Sequence, residues 1–290
     1  MVRVLVISGG GLWATAGIGV AHALRELGIE VDGYVGSSAG ALVAALLAAG
    51  HSPEVLEQAA LSLNGKEIRL NWREWGSRAL HGRAPLSLFS MKALATRLEP
   101  FLEDLRWSAL RFPLWVTATS LRRYQTIVYG TEEPRRPELS EAFHLAWGGQ
   151  TLDLQRALAA SAAVPALFPP VETTDDVLVD GGVVDDYPVD VAAWVGANRI
   201  VGVWVDEKVD HPPSHRVNGG NVAMMALTTM IRELTVIRQR HVDVSHIDVR
   251  IEISGGHRVF EHVADIIRTG YAETWARADQ IRAGIDRRAE

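Results

Sequence analysis

The sequence predicts an α/β protein built on a mostly parallel sheet with helices on both faces. Three observations predict it. Strand-like and helix-like stretches alternate along most of the 290 residues. The strand candidates are near-continuously apolar rather than alternating, as strands covered on both faces are. Glycine-rich turns also stand where strand gives way to helix, at Gly9-Gly10-Gly11 and at Gly36-Ser37-Ser38-Ala39-Gly40. A chain of this length buries a large core and reads as one domain over residues 1–290.

Each element follows from its local pattern. Val2–Ile7 is a β-branched apolar run and opens the sheet; helical spacing follows over Ile18–Leu27. Val31–Val35 is the second strand, and the unbroken helix formers of Ala41–Ala49 carry the chain away from it. Pro53–Leu63 and Met91–Leu102 read as helices. Between them Asn64–Ser90, with Gly65, Gly76, Gly82 and Pro85, is the least regular section and reads as a lid or flap over 64–90. Leu114–Thr119 and Gln125–Tyr129 read as strands joined in a hairpin across Leu121–Tyr124. Val177–Val179, Ile200–Val205 and Ile247–Ile253 complete the strands, with helices over Asp190–Val195, Val222–His241 and His262–Ala283. Met224, Met225 and Met230 in that run read as core filling.

Composition excludes several function classes. The net charge of −6, without a Lys/Arg stripe, argues against nucleic acid. No cysteine is present, so disulfides, thiolate catalysis and Cys-held metals are out. Asp175/Asp176 and Asp185/Asp186 lack the ligand spacing of a calcium loop, and no metal is expected. The N-terminal apolar run is too short for a signal peptide, and no run approaches the ~20 residues of a membrane span. A cytoplasmic protein is expected, with peripheral membrane contact through Arg69, Trp72, Arg73, Trp75, Arg78, His81 and Arg83, where indoles and cations suit headgroup depth. The competing reading there is a helix packing its Trp residues on the core.

Two anion sites compete at the N-terminus. Gly9-Gly10-Gly11-Leu12-Trp13-Ala14 satisfies a dinucleotide-type glycine fingerprint after a strand, with Glu30 and Asp32 about 20 residues on. The same loop suits a tetrahedral oxyanion formed at Ser38, with backbone N–H groups from Gly9, Gly10, Gly11 and Ala39. Ser38 is the centre of a G-x-S-x-G turn between strand and helix, the setting of a nucleophilic serine, with Gly36 and Gly40 relieving the turn. Ser37 is one residue off that centre and reads as structural. Only 37 residues precede Ser38, too few for the strands that come before the elbow of a Ser-His-Asp α/β-hydrolase. The better partner is Asp180, which ends a strand and is followed by the turn residues Gly181-Gly182. It is expected at the C-terminal edge of a parallel sheet, with burial raising its pKa.

These blocks, with Ala160–Pro170, resemble the patatin-like phospholipases, serine lipid acyl hydrolases with a Ser–Asp dyad. Gly9–Gly11 is similar to that family's oxyanion loop, Gly36–Gly40 to its nucleophile elbow and Asp180-Gly181-Gly182 to its D-G-G motif. The resemblance implies a three-layer α/β/α fold, an acyl-ester or phospholipid substrate and no cofactor. Three positions, in two places, depart from the family's pattern. Trp13 and Ala14 stand where a basic residue and another glycine are usual, which points alternatively to a catalytically impaired lipid- or partner-binding relative. Asp186 stands where an Asn is common; it is either a turn acid or a neighbour that raises the pKa of Asp180. An acyltransferase using the same dyad is a further alternative.

Overall fold

A computed structural model describes residues 2–63, 69–70, 77, 80–81, 87, 89–90, 92–207, 219–244, 246–253 and 259–286. Most of the 64–90 segment, with Trp72, Arg73, Trp75, Arg78 and Arg83, lies outside the described residues.

The strands are β1 (Arg3–Ile7), β2 (Gly33–Gly36), β3 (Arg69–Leu70), β4 (Phe89–Ser90), β5 (Leu114–Ser120), β6 (Gln125–Gly130), β7 (Leu145–Gly149), β8 (Val171–Glu172), β9 (Val177–Asp180), β10 (Arg199–Glu207) and β11 (His246–Ile253). The helices are α1 (Ala16–Glu26), α2 (Ser38–Ala48), α3 (Pro53–Leu61), α4 (Lys92–Leu102), α5 (Leu139–Phe143), α6 (Leu154–Ser161), α7 (Gly182–Asp185), α8 (Val189–Trp194), α9 (Gly219–Gln239), α10 (Val263–Ala276) and α11 (Ala278–Asp286). Among the described residues the main sheet runs β11-β10-β1-β2-β5-β6-β7, with β9 on β5 and β8 on β9. Pairing is parallel from β11 through β5 and between β6 and β7. It is antiparallel in the β5–β6 hairpin and around β9.

β1 explains why the layers stack as they do. Its residues alternate between two cores: Leu5 and Ile7 pack with α1, α2 and α10, whereas Val4 and Val6 pack with Val35, Trp115, Tyr187 and α8. All four are buried, so no polar residue is tolerated on either face of the strand. Three layers result, helices on sheet on helices.

Three sequence readings change. α6 and β7 fall where no element was assigned, and α6 is announced by Asp153, whose carboxylate accepts the Arg156 amide as an N-cap at 2.7 Å. The expected helix over His262–Ala283 breaks at Arg277 into α10 and α11. Met225 and Met230 are 43% and 62% exposed, so these two are not core filling: the outer side of α9 faces away from the sheet. No helix among the described residues is long and apolar enough to cross a membrane.

Candidate active site

β5 is the strand on which the site is assembled. One edge of it pairs first with β2, where Val116 lies opposite Gly36, and then with β9, where Ala118 lies opposite Asp180. β2 runs parallel to β5 and β9 antiparallel to it, so their C-terminal ends point at one another. The expectation that Asp180 leaves a parallel sheet edge is thereby corrected. It arrives from the opposite direction and meets the end of β2 head-on.

α2 begins at Ser38 itself, which is held at φ 53°. A left-handed conformation costs a side-chain-bearing residue about 1–3 kcal/mol and persists only where neighbours over-determine it. Four neighbours do so here. The Ser38 amide donates to Ser161 Oγ at 2.9 Å, and the Ser38 hydroxyl donates to Asp180 Oδ2 at 2.6 Å. Packing from the two glycines completes the clamp. A Cβ on Gly36 would lie 2.5 Å from Ala41 Cα, and one on Gly40 2.2 Å from the Ser8 carbonyl oxygen. Neither glycine carries a positive φ, so the strain sits on the serine and the glycines supply room.

Asp180 is 5% exposed. Its second oxygen, Oδ1, accepts the Gly182 amide at 2.7 Å. Burial pushes its pKa up to about 7, while the Ser38 and Gly182 hydrogen bonds pull it back down. Gly181 lets the turn close over β5, since a Cβ there would stand 2.3 Å from Thr117 Oγ1. Ser37 Oγ lies beside the same turn and is buried without a hydrogen-bond partner among the described residues.

Asp186 is half-buried, but its carboxyl turns inward: Oδ1 lies where a Cβ on Gly9 or on Gly182 would go. Its pKa is also pushed up to about 7, by burial first and by the charge of Asp180 second. The repulsion therefore falls on Asp186, whereas the rise at Asp180 comes from burial. The physical reason is that Asp180, whose charged form accepts two hydrogen bonds, ionises first.

Gly9, Gly10 and Gly11 divide the work of the first loop. The Gly9 amide is committed to the Asp186 carbonyl at 2.9 Å, so Gly9 is corrected from oxyanion donor to spacer. Its missing side chain leaves the loop against Ser38, whose Cβ a Gly9 Cβ would approach to 3.2 Å. Gly10 and Gly11 take φ 114° and 59°, are exposed, and open a 3-10 turn over Gly11–Thr15 whose first amides have no partner within the turn. The Ala39 amide lies in the first turn of α2, at the positive end of that helix. Trp13 packs on the core and Ala14 is fully buried without a positive φ, so the two departures leave the glycine geometry intact. Asp32 and Glu30, the acids a dinucleotide would require, both pair with Arg3.

Ser161 lies within the Ala160–Pro170 block, but the sequence assigns it no role in the site. Its side chain holds the elbow amide while its carbonyl accepts the Gly181 amide at 3.1 Å, so one residue ties both halves of the site together. The cap at Asp153 was the available signal, because it starts the helix that ends on Ser161.

Fold and site together define a three-layer α/β/α protein with a serine and an aspartate hydrogen-bonded at the meeting point of two strands. The chain belongs to the patatin-like phospholipase family, whose family model matches residues 5–193. It is 26% identical over 243 residues to the uncharacterized NTE family protein Mb1092c of Mycobacterium bovis, covering 80% of this chain and 56% of that protein. It is 26% identical over 214 residues to patatin-like phospholipase domain-containing protein 7 of Rattus norvegicus, covering 70% of this chain and 14% of that one. The chain spans about half the length or less of these two relatives. In fold it is similar to VipD from Legionella pneumophila, with a TM-score of 0.50 at 14% identity over 96% of this chain and 66% of that one. The family ties the chain to lipid hydrolysis at the level of the family.

Proposed function

We propose that this chain is a serine hydrolase of carboxylic esters of lipids, in which Ser38 is the nucleophile and Asp180 its base. The observation that carries the reading is the 2.6 Å hydrogen bond from Ser38 Oγ to a buried carboxyl held near 7. An ordinary carboxylate is too weak a base for a serine hydroxyl, and burial makes this one stronger. Asp180 accepts the hydroxyl proton as Ser38 Oγ bonds to the ester carbonyl carbon. The oxyanion that forms faces the amides of Gly10, Gly11 and Ala39. Collapse breaks the bond to the leaving alcohol, which takes the proton from Asp180. A water molecule, deprotonated in turn by Asp180, then attacks the acyl-serine and releases the acid, the proton returning to Ser38. The intact glycines of the oxyanion loop favour catalysis over an impaired lipid-binding relative.

Labelling by a fluorophosphonate probe and hydrolysis of a nitrophenyl ester test the assignment together. Both are expected in the parent and absent from Ser38→Ala. Asp180→Asn is expected to hydrolyse at least 100-fold more slowly, the range of lost general-base catalysis. Full labelling of Ser38→Ala, or full activity of Asp180→Asn, would overturn it. Capture of the acyl group by added alcohol in preference to water would instead favour the acyltransferase reading.

A further inference from the structure

An open groove of about 690 Å³ has Ala39, the residue after the nucleophile, in its wall. Leu42 continues its wall one turn further along α2. Ala162, Leu158 and Leu154 line the opposite side at four-residue steps, which puts them on one face of α6 and its C-terminal extension. Leu98 and Leu102 of α4 face them with the same spacing. At the base, the Trp107 indole N–H is already spent on the Leu152 carbonyl at 2.8 Å, leaving the ring as apolar surface. The polar side chains of the lining gather at the far end, where Glu103, Arg106, Asp153, Gln155 and Arg156 form a collar. All five are exposed; Arg106 pairs with Asp104, Gln155 donates to the Leu102 carbonyl and Arg156 donates to the Glu172 carbonyl.

We propose that this groove receives the acyl chain of the substrate and limits it to about ten carbons. The inference rests on the hydrolase reading of Ser38. The occupant is the acyl chain and not the alcohol, because between Ala39 and the collar the lining side chains among the described residues are apolar. Distance sets the limit. Ala162 adjoins Ser161, which holds the nucleophile's amide, and Leu154 lies beside the collar. Eight helical residues separate them, about 12 Å at a rise of ~1.5 Å each. An extended chain advances about 3.5 Å per three bonds, so roughly ten carbons fill that length. Further methylenes meet charge and water. Within the groove each buried methylene is worth up to about fourfold in kcat/KM.

The test is a series of soluble esters of one alcohol, from acetate through butyrate, octanoate and decanoate to palmitate, each below its aggregation concentration. kcat/KM is expected to climb to decanoate and level off. Ala159 is exposed and lines the groove, so Ala159→Trp obstructs it without disturbing the core. That variant is expected to lower the decanoate-to-butyrate ratio of kcat/KM at least tenfold. Arg106→Leu removes charge from the collar and is expected to raise the palmitate-to-decanoate ratio severalfold. A ratio is unaffected by a general loss of active protein. A parent whose kcat/KM still climbs to palmitate, or an Ala159→Trp variant that slows every ester equally, overturns the groove's role alone. A parent that hydrolyses none of the series overturns the hydrolase reading beneath it.

Discussion

Replacing Asp186 by asparagine tests why Asp180 keeps its proton to about 7. The ordinary value is 3.8, and the difference corresponds to about 4 kcal/mol of penalty on the charged form in the folded protein. Two sources of such a penalty are conceivable: withdrawal from water, or repulsion from the neighbouring acid. Asp180 is nearly buried, and the Ser38 hydroxyl and Gly182 amide favour its charged form over that of Asp186. Asp186 therefore stays protonated while Asp180 ionises, and a neutral asparagine of the same shape changes little. The expected acidic limb of kcat/KM falls about tenfold per pH unit below about 7, to roughly one-hundredth of the plateau at pH 5. Asp186→Asn keeps that limb in place. The assay is the kcat/KM of a short nitrophenyl ester across the acidic and neutral range, on parent and variant. A parent limb in the ordinary carboxylate range refutes control by burial. A limb that moves a full pH unit downward in Asp186→Asn refutes the order of ionisation and places the repulsion on Asp180.

The same carboxyls make stability depend on pH. Both titrate higher in the folded than in the unfolded chain, so their contribution is complete below about 4 and lost as pH rises through about 7. The thermal midpoint is expected to fall between pH 5 and 8, and to fall less in Asp186→Asn; equal slopes would contradict this. Ser161→Ala leaves the Ser38 amide without its acceptor and is expected to cost about 1–3 kcal/mol in denaturant unfolding and to lower kcat, with Ser161→Thr restoring both. Ser37→Ala removes a buried hydroxyl that has no partner among the described residues and is expected to be neutral or stabilising by up to about 1 kcal/mol in the same unfolding assay; a loss of stability would show that the hydroxyl is satisfied. Arg238→Met strips the cation from the buried Asp185 and Asp190, at an expected cost of about 3–5 kcal/mol at pH 8. Urea midpoints should converge with the parent at acid pH, because burial raises the pKa of Asp185 and it protonates there.

Much of the fold was legible because its signals are local. The double-sided burial of β1 follows from an unbroken apolar run, and the β5–β6 hairpin from two such runs around Leu121–Tyr124. α6 was missed because its apolar residues are short-range and mixed with Gln155 and Arg156, and its cap is a single residue. Met225 and Met230 misled because helical spacing specifies a face without specifying what covers it. Ser161 could not be singled out, since a serine that accepts one amide from a residue 123 positions away leaves no pattern in its neighbourhood.

Local pattern alone marks a serine on a glycine-flanked turn at Gly36–Gly40 and an acid on a second glycine turn at Asp180-Gly181-Gly182. Spacing and residue type decide such things because turns and strands are set over a few residues. How the two turns meet follows from the three-dimensional fold alone. β5 pairs with β2 and β9 on one edge in opposite directions, bringing Ser38 and Asp180 together across 142 residues. The fold also decides which groups spend their hydrogen bonds elsewhere, as the Gly9 amide does, and which carboxyls lose their water. Those outcomes depend on burial and on pairing between distant segments, which no local pattern encodes.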